Sequence, residues 1–357
     1  MTGVGSDGRE LEGFWDQSWG KSVRPVGTML TDRRRDEAPE YRAASPDTSV
    51  LKAIQNARPA DVVRIGAPVE RAAACLHEVT RIRRLTPAEA YVGHRSYPSA
   101  RGIGATTATL LEDGYPGPSV VLHPVPARVP SAYGSLREPL ALLEMGHQAA
   151  NLQLVGTIAD LSPALLPPVE DSSKRPLTPA HVRFRGPRPS TAGQQLHEAA
   201  TGTELPVSVL FDRRTSNPTP AAHIDHADLS AEAMELRGVG QLALLALAEQ
   251  WPVAAVSSLR LARRPRSEGT SLDLIWVADV RTWVSRGMSV NTLYIAVGWL
   301  SQWLCMAAAS RDLAIRPMKA FDESDLSSLL HLGSDEQPLY VLRVERRVSS
   351  PLERILR

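Results

Sequence analysis

Two stretches of this chain are apolar on almost every side of a helix, and together they constrain what it can fold into. Residues 140–154 read LALLEMGHQAANLQL and residues 292–306 read TLYIAVGWLSQWLCM. A helix with one apolar stripe lies on a surface, whereas one that is apolar all round sits inside a core. Each carries a glycine near its centre, Gly146 and Gly298, which stand 152 positions apart (298 − 146). A repeat of that length in a chain of 357 residues points to two comparable units.

The surroundings of the two stretches extend the parallel. A β-rich run precedes each, SVVL at 119–122 and LDLIWVADV at 272–280. A helix-like run opens each unit, VLKAIQNA at 50–57 and PVSVLFD at 206–212, and a longer helix follows at 69–80 and 229–249. The last strand is expected at 339–344, with Pro338 just before it, where a strand-start proline belongs. This order of helices and strands predicts an α+β fold. Four regions follow. Residues 1–47 form a polar arm whose Phe14, Trp15 and Trp19 could dock onto the body. Residues 48–165 and 204–357 are the two halves. Residues 166–203, with Pro167, Pro168, Pro176, Pro179, Pro187 and Pro189, are expected to be a linker without long helices.

Composition narrows the function classes. Hydrophobic residues make up 43%, enough for a sizeable core, and the net charge of +1 gives no global attraction to nucleic acid or a membrane surface. The arginine clusters at 33–35 and 263–266 read as solvated loops. Cys75 and Cys305 lie in Ala-rich runs and read as buried thiols rather than a disulfide or zinc site. No signal peptide is apparent, and the run 293–309, interrupted by Gly298, Ser301 and Gln302, reads as a buried helix, so the cytoplasm is the expected location.

The string GWLSQWLCMAAASRDLAIRPMKAFDESDLSSLLHL, followed by PLYVLRVERR, resembles the C-terminal third of nitroreductase-fold flavoenzymes, especially the SagB-type dehydrogenases that oxidise azolines to azoles in ribosomal peptide maturation. The resemblance covers about 55 residues well, within 292–347, and the rest in patches. It implies an α+β nitroreductase-like, FMN-dependent fold. With the repeat, it implies a tandem pseudo-dimer: two fused, diverged copies in place of a two-fold dimer. The implied activity is FMN-dependent oxidation of a peptide or small natural-product intermediate, such as an azoline. Other subunits of a biosynthetic complex are possible partners, and a second dimerisation of the fused unit stays open.

The resemblance also implies site residues. The turn FDRRTSN at 211–217 stands where the family grips the flavin phosphate, and Arg213, Arg214, Thr215 and Ser216 supply the guanidinium and hydroxyl donors a phosphate needs. Pro98 and Ser99 of YPSARGIG match a segment that lies against the flavin ring. Gln302 is placed to hydrogen-bond that ring, or else a buried protein partner, and Arg346 supplies the C-terminal cation. Together these make one composite site. Its counterpart looks lost, since neither 56–60 (NARPA) nor 256–258 (VSS) keeps the family residues. The family's Lys-Tyr pair is Ala132-Tyr133 in one half and Val284-Ser285 in the other, so Tyr133 is the remaining candidate base. Two family glycines are Asp312 and Glu345. These departures support an alternative, a flavin-free pseudoenzyme that binds a peptide or an active subunit. Glu144 and His147, three apart on one helix face, could serve acid–base chemistry or a metal. The AHIDHAD run around His223 and His226 reads as a surface turn.

Overall fold

The two apolar stretches fold as long helices that cross at their glycines. The computed structural model describes residues 41–42, 48–56, 66–80, 82–85, 93–95, 97–98, 104–112, 117–167, 179–185, 191–202, 229–265, 271–319, 321–346 and 354–355. The first part holds β1 (Tyr41–Arg42), α1 (Thr48–Asn56), α2 (Pro68–Thr80), β2 (Ile82–Leu85), β3 (Gly93–Arg95), β4 (Thr106–Leu111), β5 (Ser119–Pro124), α3 (Arg137–Ile158), β6 (Ser162–Leu166) and β7 (Ala180–Arg185). The second holds α4 (Thr191–Thr201), α5 (Ser230–Ala248), α6 (Val253–Val256), β8 (Leu259–Pro265), β9 (Ser271–Asp279), α7 (Val280–Ser285), α8 (Val290–Ala309), β10 (Leu313–Met318), α9 (Glu323–Leu329), β11 (Glu336–Arg346) and β12 (Arg354–Ile355).

The crossing of α3 and α8 leaves no room for side chains. A Cβ on Gly146 would lie 2.1 Å from the Ile295 carbonyl oxygen, and one on Gly298 would lie 2.1 Å from that of Leu143. Residues 143 and 295 are again 152 apart (295 − 143), so the contact is reciprocal, as across a two-fold axis. The turn after each helix repeats the offset. Asp160 and Asp312, also 152 apart (312 − 160), both take left-handed backbone, with φ of 54° and 55°. Aspartate tolerates that region better than most residues, and it is the conformation glycine adopts most cheaply.

The sheets repeat as well. The first has order β1-β4-β5-β7-β6, with β1 parallel to β4 and the other pairs antiparallel. The second has order β8-β9-β11-β10, antiparallel throughout. Strand for strand, β4-β5-β7-β6 matches β8-β9-β11-β10. A third sheet, β12-β2-β3, brings the C-terminal strand back against the first part of the chain.

One buried core runs from Val50 through both central helices to Val344. Strand β9 is buried on both faces. Its Leu272, Leu274, Trp276 and Ala278 join the main core, while Ile275 and Val277 pack with Leu326 of α9, as strand alternation requires. Side-chain caps start the later helices: Asp279 accepts from Thr282 N at α7, Ser289 from Thr292 N at α8 and Asp322 from Asp325 N at α9. The thiols of Cys75 and Cys305 are buried, and burial pushes that of Cys75 up. Helix α8 is long and apolar enough to cross a bilayer, and all of its residues but Asn291 are buried inside the fold.

The expected linker is the main correction. Residues 166–203 contribute β7, an inner strand of the first sheet, and the 11-residue helix α4. The prolines bound these elements instead of interrupting them. Pro179 precedes β7, and Pro187 and Pro189 fall between β7 and α4. Within β7, Ala180, Val182 and Phe184 are buried in alternation. The arm assigned to 1–47 contributes Tyr41 and Arg42 as the edge strand β1. The run 206–212 and the turn around His223 and His226 lie outside the described residues.

The crossing predicts opposite effects for alanine at different glycines. Gly146→Ala or Gly298→Ala forces a methyl into a backbone oxygen and should cost about 3 kcal/mol or more. Gly238, inside α5, has nothing within 4 Å of its would-be Cβ, so Gly238→Ala should stabilise by about 0.5–1 kcal/mol. Thermal or urea unfolding of the three variants checks both signs.

Candidate functional site

Gln302 does not face an open site. It is fully buried on α8, its side-chain NH2 donates to Asn151 Oδ1 at 2.7 Å, and its Oε1 lies 3.0 Å from His147 Nδ1. His147 Nε2 lies 3.3 Å from the Tyr340 hydroxyl. A glutamine on an apolar helix must find partners, and both of these lie on the facing helix α3. On the same helix, Glu144 Oε1 accepts from Thr106 Oγ1 at 3.3 Å. No group of three or more possible metal ligands occurs among the described residues.

Arg346 ends β11 and pairs with Glu232 in the first turn of α5. Arg263 of β8 reaches the same turn, donating to Ser230 Oγ at 3.2 Å. Two guanidiniums thus converge on a helix N-terminus, whose unpaired N–H groups and dipole favour negative charge. Glu232 is the anion held there. A phosphate that displaced the Glu232 carboxylate would meet the same donors. The pair is partly exposed, with side-chain exposures of 37% and 20%, which makes that exchange inexpensive. The phosphate-turn residues Arg213, Arg214, Thr215 and Ser216 lie outside the described residues, as does Ser99.

Pro98 is half-buried beside Tyr97, whose hydroxyl accepts from Gln148 at 2.6 Å inside the core. Tyr133 lies in the short 3-10 segment before α3, half-buried beside Ala105, Val129 and Ala141. Gly134 next to it has φ of 51° with nothing near its would-be Cβ, so the chain turns there through a conformation that favours glycine. Lys319 is buried between the Tyr294 and Phe321 rings and held by Glu323 at 2.6 Å.

Sequence reasoning missed a cavity of about 220 Å³ among α3, β6, α4, α5 and α8. His197 of α4 and Trp303 of α8 line it. His197 is buried, neither ring nitrogen has a hydrogen-bond partner among the described residues, and burial holds the imidazole down at about 4. Its only sequence signal was a histidine on the apolar face of a short helix, LHEAA at 196–200, hidden inside the Pro-rich stretch.

A histidine kept neutral by the fold stabilises the native state above the imidazole's ordinary range. That stability is lost as pH falls from about 6.5 towards 4, where the unfolded chain takes up a proton the native state refuses. The loss attributable to His197 should reach at most about 3 kcal/mol. His123 and His181, also lowered by burial, act in the same direction and remain in a His197→Gln variant. Denaturant unfolding across this range should therefore show a shallower acid loss for His197→Gln than for the parent.

No protein-family model and no curated protein matches this sequence. Solved structures do. A protein of Anabaena variabilis ATCC 29413 described as a candidate nitroreductase superposes with a TM-score of 0.63 over 95% of this chain and 99% of its own, at 12% identity. A candidate nitroreductase of Ralstonia eutropha JMP134 matches 22% of this chain and 39% of its own at 21% identity, with a TM-score of 0.20. A nitroreductase family protein of Streptococcus pneumoniae TIGR4 matches 40% and 91% at 11% identity, with a TM-score of 0.28. The first of these spans nearly both whole chains and establishes the architecture: this chain has a nitroreductase-like α+β fold.

Proposed function

We propose that this chain is an FMN-dependent oxidoreductase built from two fused, diverged nitroreductase-like copies, with one composite flavin site and a peptide or natural-product intermediate as substrate. The observation that carries the reading is the anion-binding end of α5, where Arg346 and Arg263 converge. The tandem origin is supported by the 152-residue offset shared by the crossing glycines, their carbonyl partners and the two left-handed aspartates, and by the matching strand orders.

In this reading Arg213, Arg214, Thr215, Ser216 and Arg346 hold the phosphate. Pro98 and Ser99 pass close to the ring because they are small, and Gln302 drops out of the set. The flavin, when bound, supplies the capacity to accept a hydride. The chain's own part is to orient the substrate, exclude water and take up the proton released with the hydride. Tyr133, beside the Gly134 turn, is the residue for that proton. Azoline oxidation is the version implied by the SagB-type resemblance. A second reading, a flavin-free scaffold for a peptide or an active subunit, draws on the Glu232 carboxylate already on Arg346 and the absence of lysine at 132 and 284.

The visible spectrum of the purified chain and an FMN titration test this. Flavin absorption with one FMN per chain is expected. Arg213→Ala and Arg346→Ala should each weaken binding by about tenfold or more, the size of a lost charge-assisted hydrogen bond. Glu232→Gln should tighten it several-fold by removing the competing carboxylate. A colourless protein that ignores added FMN overturns the oxidoreductase reading in favour of the scaffold.

A further inference from the structure

The cavity beside His197 has an unusual balance of hydrogen-bonding groups. Most of its polar wall is already committed. Gln153 accepts from Trp299 Nε1 at 2.5 Å and donates to Gln250 Oε1 at 2.9 Å, and Gln250 Oε1 also accepts from Leu165 N at 2.8 Å. Thr157 Oγ1 donates to the Gln153 carbonyl at 2.9 Å. Trp303 Nε1 and both ring nitrogens of His197 are left with no hydrogen-bond partner among the described residues, though each is buried. Leaving such groups unmet costs far more than an ordinary hydrogen bond gains, so a native site that keeps three of them together calls for an occupant.

The occupant's chemistry follows from donor and acceptor accounting. Indole N–H only donates. An imidazole held neutral at physiological pH offers one donor and one acceptor. The unpartnered buried groups therefore offer two donors and one acceptor, and Glu249 adds an exposed carboxylate acceptor at the cavity; a group with two acceptor lone pairs and a donor complements them. A carboxamide carries that set: its carbonyl oxygen has lone pairs for Trp303 and for one His197 N–H, and its own N–H is left for the Glu249 carboxylate, since the two nitrogens of one imidazole point apart and one amide cannot reach both. Trp299, Trp303, Leu196 and Pro163 give the rest of the wall an apolar, partly aromatic character suited to a flat hydrocarbon body. Buried and neutral, these groups do not suit an anion, whose charge would go unpaired there and would be repelled by the Glu249 carboxylate.

We propose that this cavity is a binding site for a small uncharged carboxamide with an apolar body, its carbonyl taken by Trp303 and His197. The site draws on both halves of the chain, α3 and β6 from one and α4, α5 and α8 from the other. Glu249, at the cavity, and Glu232, at the anion end, stand at opposite ends of α5, 17 residues apart (249 − 232), or about 25 Å along a helix. Occupancy of the cavity is thus independent of the proposed flavin reading.

Benzamide and benzoate make the test pair, the same body with a neutral or a charged head. Calorimetry on the full chain should show saturable benzamide binding of about millimolar strength, as expected for so small a ligand. Heats should be equal in buffers of different ionisation enthalpy, because a neutral His197 takes up no proton. Benzoate should bind at least tenfold more weakly. Trp303→Phe keeps an aromatic ring and removes the donor, and it should weaken benzamide by about tenfold. His197→Leu, a second variant in case the first misfolds, should do the same, with melting curves confirming that each folds. The proposal is overturned by no saturable binding, by benzoate binding as tightly as benzamide, or by folded variants that bind like the parent. A crystal structure grown in benzamide that shows only water on these groups would also overturn it.

Discussion

The close approach of two backbones at Gly146 and Gly298 sets the position of everything else. Each glycine meets the other helix's carbonyl where a methyl would overlap it. That spacing lets polar side chains reach across two otherwise apolar helices, and Gln302 thereby bridges Asn151 and His147 on the facing helix. A second bridge runs from Trp299 through Gln153 and Gln250 to the Leu165 backbone, tying α8 and α5 to the edge strand β6 of the other half. Trp251 Nε1 reinforces it by donating to the Leu165 carbonyl at 2.9 Å. Buried polar networks of this kind add little net stability when complete but penalise any other register, because a slip leaves their members unpaired.

The backbone repeat is more faithful than the side-chain repeat. The positions 152 before Trp299 and Trp303 are His147 and Asn151 (299 − 152 and 303 − 152). On that side the polar groups satisfy one another through Gln302. On the other side two indoles and His197 surround a cavity. A homodimer with an isologous interface must keep both sides the same, whereas in a single chain each side of the crossing can carry its own side chains. A methyl at either glycine would meet a backbone oxygen, so the crossing geometry leaves no latitude there, while the side chains around it differ from one side to the other.

Much of the architecture was legible in the sequence where apolar residues are dense. The two all-round apolar helices, the strands around Ser119 and Leu272, and the buried cysteines follow from hydrophobic runs that admit few other readings. Strand β7 was hidden because proline content was read over the whole stretch, while the information lay in the alternation of Ala180, Val182 and Phe184 between prolines. The site was less legible for a different reason. Gln302 and Arg346 were recognised as residue types that bind, but sequence does not say which partner a binding group has already taken. Asn151 and Glu232, far from them in the chain, decide that. His197 escaped because an imidazole's importance here comes from what it lacks, and missing partners leave no trace in sequence.

The ion pairs of two β11 arginines, Arg343 and Arg346, show why a shared fold leaves the chemistry to a few residues. Arg343 pairs with Asp273 directly across from it on β9 at 3.1 Å, with side-chain exposures of 20% and 4%. Breaking that pair would strand a buried carboxylate, so the arginine is permanently spoken for. Three residues further along the same strand, Arg346 pairs with Glu232 at the open end of a helix, where both side chains remain partly in water. Such a pair is held by little net free energy, and an incoming dianion with more acceptor oxygens can replace the carboxylate while the helix dipole continues to favour negative charge. The same residue type on the same strand is structural at one position and exchangeable at the other. What separates them is solvent exposure: the carboxylate of the first pair is buried within the sheet, whereas both members of the second meet water at the strand's end.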